Sequence, residues 1–269
     1  MVVVPASSLK AGPRVPPGLD ELAACQPLPH LLWRIGEWQA LARHELLPPL
    51  LDLGCGDGAF GRMLFPPGAA CGMDRSWQAV RQARRWGVYR CAWVADARRL
   101  PFRDASWLTI VANSTLEHVA DVDAALREVR RVLRPGGRCY ITVPGEHFAS
   151  LLFHAAWLRR IGARQLASAY GRWLNKYLTH LRCESVETWQ TRLARADLNL
   201  LFAEALLPPR AVALWDACLP AQYVLRRVNN VLPWYRWLRR ARRALLMRCL
   251  AALEMQPGEA GAVWLLAAG

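Results

Sequence analysis

Apolar and polar positions follow two rhythms along this chain. Residues 30–44, HLLWRIGEWQALARH, repeat Leu31, Ile35, Trp38, Leu41 and Ala42 at helical spacing, which predicts an amphipathic helix ended by Pro48 and Pro49. Short apolar runs and amphipathic segments then take turns. LLDLG (50–54), AACGMD (69–74), VYRCAWVAD (88–96), WLTIVAN (107–113) and RCYITVP (138–144) read as strands. WQAVRQARRWG (77–87) reads as a helix with arginines near its C-terminus and Gly87 as its stop. DVDAALREVRRVLRPGG (121–137) has acids in its first turn and Pro-Gly-Gly after its last, the start and stop chemistry of another. This is the βαβ rhythm of a parallel sheet with helices on both faces.

Beyond Pro144 the rhythm stops. Residues 148–198 read as mostly helical, LNLLFAEALL (198–207) as a sixth strand, 208–254 as helical and strongly basic, and AVWLLAA (262–268) as a final strand. Residues 1–29, rich in Pro, Gly and Ser, predict a loose leader. Pro5 interrupts the apolar start, so no signal peptide is expected, and no uncharged apolar run reaches the ~18 residues of a membrane span. The resulting division is 1–29, a core over 30–147, a helical region over 148–198 and a C-terminal region over 199–269.

The composition narrows the classes. At 269 residues and 54% hydrophobic content the chain can bury one substantial core. The net charge of +14 points either to an anionic partner or to codon bias, because only Lys10 and Lys176 among 35 basic residues are lysines. No basic stretch joins a recognisable nucleic-acid motif, so DNA and RNA partners are not expected. The eight cysteines are scattered without a Cys-x-x-Cys pair, which predicts reduced thiols rather than a disulfide framework. His180 and Cys183 share a helix face, but two ligands make no zinc site, and no metal is expected.

Chemistry concentrates in LDLGCGDGAFG (51–61), with four glycines in eight residues. Gly56, Gly58 and Gly61 fit G-x-G-x-x-G, with Asp74 where a dinucleotide's ribose-binding acid would stand. The same stretch also reads as D-x-G-x-G-x-G, from Asp52 through Gly54, Gly56 and Gly58. Asp52, Asp74 and Asp96 each close one of three consecutive strands, on the sheet edge where ligands bind.

Four segments in order, LDLGCGDG, MDRS, VADARRLPF and IVANSTLEHVADVDAALREVRRVLRPGGRCYITVP, resemble class I S-adenosylmethionine-dependent methyltransferases, most closely the ubiquinone/menaquinone-methyltransferase-like (type 11) group, over about residues 50–144. The resemblance implies an α/β, Rossmann-like, doubly wound and mostly parallel seven-stranded sheet, here with helical insertions after strand 5 and between strands 6 and 7. It implies S-adenosyl-L-methionine as cofactor, held by Asp52, Gly54, Cys55, Gly56 and Gly58, by Asp74 and Arg75 at the ribose, by Asp96 and Ala97 at adenine, and by the backbone around Asn113 at the methionine part. Asp52, with Asp57 nearby, supplies negative field to a ligand bearing a sulfonium and an amino group; Asp57 reads equally as a turn former. A nicotinamide enzyme would gain little from Asp52.

The implied activity is methyl transfer to a small-molecule or lipid-like acceptor in the cytoplasm. A non-catalytic scaffold subunit and an RNA methyltransferase are the alternatives. His118 and His147 are candidate bases, although each reads first as a loop residue. The aromatics Phe153, Trp157, Tyr170, Trp173, Tyr177 and Trp189 read first as core and second as an acceptor pocket. In residues 234–255, Arg236, Arg239, Arg240 and Arg243 share one helical face and Trp234, Trp237, Leu238, Ala241, Leu245 and Cys249 another. That layout suits a helix packed on the sheet or an interfacial helix touching the inner membrane surface.

Overall fold

The computed structural model describes residues 16–19, 22, 28–229 and 261–269. In chain order its elements are α1 (Leu28–Leu41), β1 (Leu50–Leu53), α2 (Ala59–Leu64), β2 (Ala70–Asp74), α3 (Trp77–Ala83), β3 (Tyr89–Val94), β4 (Trp107–Asn113), α4 (Val122–Val132) and β5 (Leu133–Pro144). There follow α5 (Phe148–Leu151), α6 (Phe153–Arg160), α7 (Arg164–Tyr177), α8 (Val186–Arg195), β6 (Asn199–Ala205), α9 (Pro209–Asn229) and β7 (Ala262–Ala268). The strands form one seven-stranded sheet in the order β3-β2-β1-β4-β5-β7-β6. Neighbours from β3 through β5 are parallel, and β7 lies antiparallel between β5 and β6. The expected doubly wound α/β class is the one observed.

Strand periodicity sorts the core into two layers. Leu50, Val111, Tyr140, Trp264 and Leu266 face one side of the sheet with residues of α1, α2, α3 and α6. Leu51, Ile110, Ile141, Leu265 and Ala267 face the other with α4 and α8. In α4, Val122, Ala125, Leu126, Val129 and Val132 form the buried stripe, and the Asp121 side chain accepts from the Ala124 N–H at 2.9 Å to cap it. The chain winds outward from β1 to β2 and β3, then crosses over to β4 and β5. The C-terminal ends of β1 and β4 therefore stand side by side while their following loops diverge, which opens a crevice between them.

Three expectations need correction. Helix α1 begins at Leu28 rather than His30, and Leu19 and Leu22, within the expected loose leader, are buried in the core. The Pro-Gly-Gly read as a helix stop follows α4 but lies within β5, which begins at Leu133 rather than Arg138: pairing steps from Trp107↔Leu133 to Thr109↔Arg138, a bulge over residues 134–137. Among the insertion's aromatics, core packing holds for Trp189 but not for Phe153, Trp157, Trp173 and Tyr177, which are between 47% and 65% exposed. Tyr170 is half-buried, with its hydroxyl donating to the fully buried Asp216 of α9. The expected interfacial helix over 234–255 lies outside the described residues. No described helix is long and apolar enough to cross a membrane.

Asp121→Ala leaves the Ala124 N–H without its cap. It is expected to lower unfolding stability by about 1 kcal/mol, read as an earlier urea midpoint at unchanged slope.

Candidate functional site

The crevice is a cleft of about 740 Å³ lined by the loops that follow β1, β2, β3 and β4 and by α1. The loop after β1 is pinned from below: the Gly54 and Cys55 N–H groups both donate to the Met73 carbonyl at 2.8 Å. Gly54 sits at φ +82°, where a Cβ would also overlap the Thr115 side chain, so that position accepts only glycine. A Cβ on Gly56 would meet nothing within 4 Å, which leaves its face of the loop open to a ligand.

Asp52, Gly54, Cys55, Gly56, Asp74, Arg75, Asp96, Ala97 and Asn113 all line this cleft. Gly58 does not. It caps the N-terminus of α2 with its Cα toward α3, where an added Cβ would stand 2.7 Å from the Ala83 Cα. Its place in the glycine pattern reflects helix packing. Asp57 lines the cleft and also accepts from the Ala59 N–H at 3.0 Å, so it forms the turn into α2.

The three strand-end acids differ. Asp52 is buried, and the Tyr89 hydroxyl donates to its Oδ2 at 2.5 Å. Burial pushes its pKa up to about 7, against the opposing pull of the Tyr89 bond and the Arg34 charge. Gly61 makes that bond geometrically possible, since a Cβ there would overlap the Tyr89 hydroxyl. Asp74 accepts one backbone N–H on each oxygen, Gly56 on Oδ2 at 3.0 Å and Ser76 on Oδ1 at 2.8 Å. Each oxygen retains a lone pair for a ligand hydroxyl. Asp96 stands at the exposed rim, where the Arg98 guanidinium binds both its oxygens at 2.7 to 3.1 Å and holds its pKa down.

Opposite the glycine loop lies a polar group the sequence reading missed. Glu37, 1% exposed, accepts from Trp33 Nε1 at 3.1 Å, Arg34 at 2.8 Å, Asn113 Nδ2 at 3.0 Å and the Ser114 hydroxyl. This carboxylate ties α1 to the end of β4 and turns the Asn113 side chain toward α1. It also aligns Arg34, which lines the cleft with its guanidinium 5.7 Å from the Phe60 ring centroid. The available signal was an Arg-Glu pair at i,i+3 in an otherwise apolar helix. Of the two candidate bases, His118 lines the cleft and His147 does not. Burial lowers the His118 pKa.

Parts of the chain are similar to known proteins. Residues 51–141 match the family described as Methyltransferase domain. Over 165 residues, 61% of this chain, it is 28% identical to a malonyl-[acyl-carrier protein] O-methyltransferase of Pseudescherichia vulneris, covering 62% of that protein. Over 143 residues, 49% of this chain, it is 30% identical to a ubiquinone/menaquinone biosynthesis C-methyltransferase of Desulfotalea psychrophila, covering 58% of that protein. An S-adenosylmethionine-dependent methyltransferase from Thermotoga maritima shares the fold with a TM-score of 0.56 at 18% identity, over 90% of this chain and 91% of that one. The chain spans less than two thirds of the length of both of these curated relatives. The segment from β1 into β5 thus carries the match to the methyltransferase-domain family, within a fold shared with methyltransferases.

Gly61→Ala is expected to force the Tyr89 hydroxyl off Asp52. Overpacking of this kind should cost about 1–3 kcal/mol of stability in urea unfolding.

Proposed function

We propose that this chain transfers a methyl group from S-adenosylmethionine to a small-molecule or lipid-like acceptor. The observation that carries the reading is the convergence of Asp52, Asp74, Asp96 and a glycine-lined loop on one cleft at the switch point of the sheet. The free lone pairs of Asp74 suit two ribose hydroxyls, and the open face at Gly56 suits close approach of a nucleoside. Asp96 and Ala97 stand where the base would lie. Arg34 is placed to take a carboxylate and Asp52 to face a cation, which matches the opposite charges of a methionine moiety.

S-adenosylmethionine supplies an already activated methyl group. The chain's part is to hold donor and acceptor in line and to exclude water. The glycine loop and Asp74 fix the nucleoside, while Arg34 and Asp52 orient the amino-acid end. The acceptor end is bounded by His118, Thr179 and Leu181, the last two from the segment that follows α7. The segment that follows α7 is therefore the part of the insertion that meets the acceptor. The related methyltransferases above are named for malonyl-[acyl-carrier protein] and for ubiquinone/menaquinone biosynthesis, which agrees with acceptors other than RNA.

Isothermal titration tests the reading. Below about pH 7 Asp52 carries a proton and is neutral; above it the carboxylate is ionised and attracts the donor's amino group and sulfonium. Donor affinity is expected to rise by up to about tenfold between about pH 6 and about pH 8 and then level off. The demethylated product, lacking the sulfonium, should respond less. Asp52→Asn should flatten the profile, and Tyr89→Phe should move its inflection upward, because that hydrogen bond lowers the Asp52 pKa. Absence of binding by both donor and product refutes the reading.

A further inference from the structure

Beside the acceptor end, and apart from every group used above to hold the methyl donor, three metal-ligating side chains converge. Glu117, His118 and His180 each present a donor atom within 4.8 Å of the other two. Glu117 and His118 belong to the 3-10 turn Leu116–His118 after β4, and His180 to the segment after α7. The two pieces of chain are locked together. The Leu181 N–H donates to the Glu117 carbonyl at 2.9 Å, and Arg182 donates to the carbonyls of Leu116 at 2.7 Å and Val119 at 2.6 Å.

The hydrogen bonds around the triad set its ring tautomers. His118 Nδ1 lies 2.9 Å from the Thr179 carbonyl, which can only accept, so Nδ1 carries the proton and Nε2 keeps its lone pair. His180 Nδ1 lies 3.2 Å from Asn175 Oδ1, with the same consequence. An imidazole whose far N–H donates to a carbonyl is the arrangement that orients metal-binding histidines. The carboxylate completes the case. Glu117 is 1% exposed, its Oε2 has no hydrogen-bond partner, and its Oε1 stands 3.7 Å from His118 Nε2. That separation is too long for a hydrogen bond and close to the roughly 3 to 3.5 Å between two donors that share an ion at bond lengths of ~2.1 Å. The neighbouring buried carboxylate, Glu37, already accepts four hydrogen bonds, so Glu117 is left as the one with unused acceptor capacity among the pair.

We infer that Glu117, His118 and His180 form a site for a divalent transition-metal ion in the wall of the cleft. Two imidazoles and one carboxylate suit ions such as Zn²⁺, Fe²⁺ or Co²⁺, and three protein ligands leave coordination positions open. His118 both lines the cleft and belongs to the triad, so an ion held here stands at the acceptor end. The sequence reading expected no metal; the ligands lie 63 positions apart in the chain and meet only through the packing of the segment after α7.

Cobalt titration of the metal-free full-length chain tests the site directly, with no reference to methyl transfer. Visible d–d absorption should grow and saturate at one equivalent of Co²⁺, without the intense thiolate-to-cobalt band that cysteine ligation would give. Glu117→Gln and His180→Ala should each weaken binding by at least about tenfold, with the thermal midpoint of the metal-free protein serving as the check on folding. Asn175→Ala keeps all three ligands but frees the His180 ring, and should cost about 10- to 100-fold in affinity. No saturable cobalt signal, a thiolate-dominated spectrum, or wild-type affinity in all three variants would overturn the assignment.

Discussion

A carboxylate buried at the C-terminal end of β1 is the constraint around which this molecule is arranged. Asp52 loses its hydration and so favours the protonated form, and everything packed against it answers that loss. Tyr89 donates a hydrogen bond from β3, and Gly61 in α2 gives up its side chain to let the phenol reach. Arg34 faces the same cavity from α1. The glycine loop is held by backbone bonds to β2 and by Asp74, so the carboxylate stays at the floor of a shaped cleft. A buried acid with incomplete compensation is a ready partner for a cationic ligand.

The remainder of the fold supplies rigidity at the right edge. Glu37 draws four donors from α1 and β4 together and fixes the side of the cleft facing the glycines. Several arginines act as struts. Arg131 joins Glu128, Asp104 and the carbonyls of Leu100 and Phe102, and Arg192 clamps Glu184 and Asp123. These two arginines are matched by four carboxylates, so the net charge of +14 resides on other arginines.

Much of this was legible along the chain because sheet periodicity and strand-end chemistry are local. The seven strands, the helix from Val122 to Val132 with its acidic start, and the carboxylates at three strand ends all announce themselves in short windows. What escaped was non-local. Gly58 carries the same letter as Gly54 and Gly56, yet it serves a contact with Ala83, and only the packing of α2 on α3 separates the two roles. Glu37 and Arg34 sit in a helix whose apolar spacing hid a polar face. Glu117 and His180 meet through a segment with no regular pattern. The exposed aromatics of α6 and α7 have helical spacing, and spacing alone does not say what a face meets.

The central claim is that this cleft takes a sulfonium nucleoside in one orientation. A crystal structure of the chain with S-adenosylhomocysteine, the stable thioether counterpart, measures it most directly. The ribose diol is predicted on the Asp74 carboxylate, the base beside Ala97, and the amino-acid carboxylate on Arg34. A cleft without ligand density, or a ligand turned end for end with its ribose away from Asp74, would contradict the account.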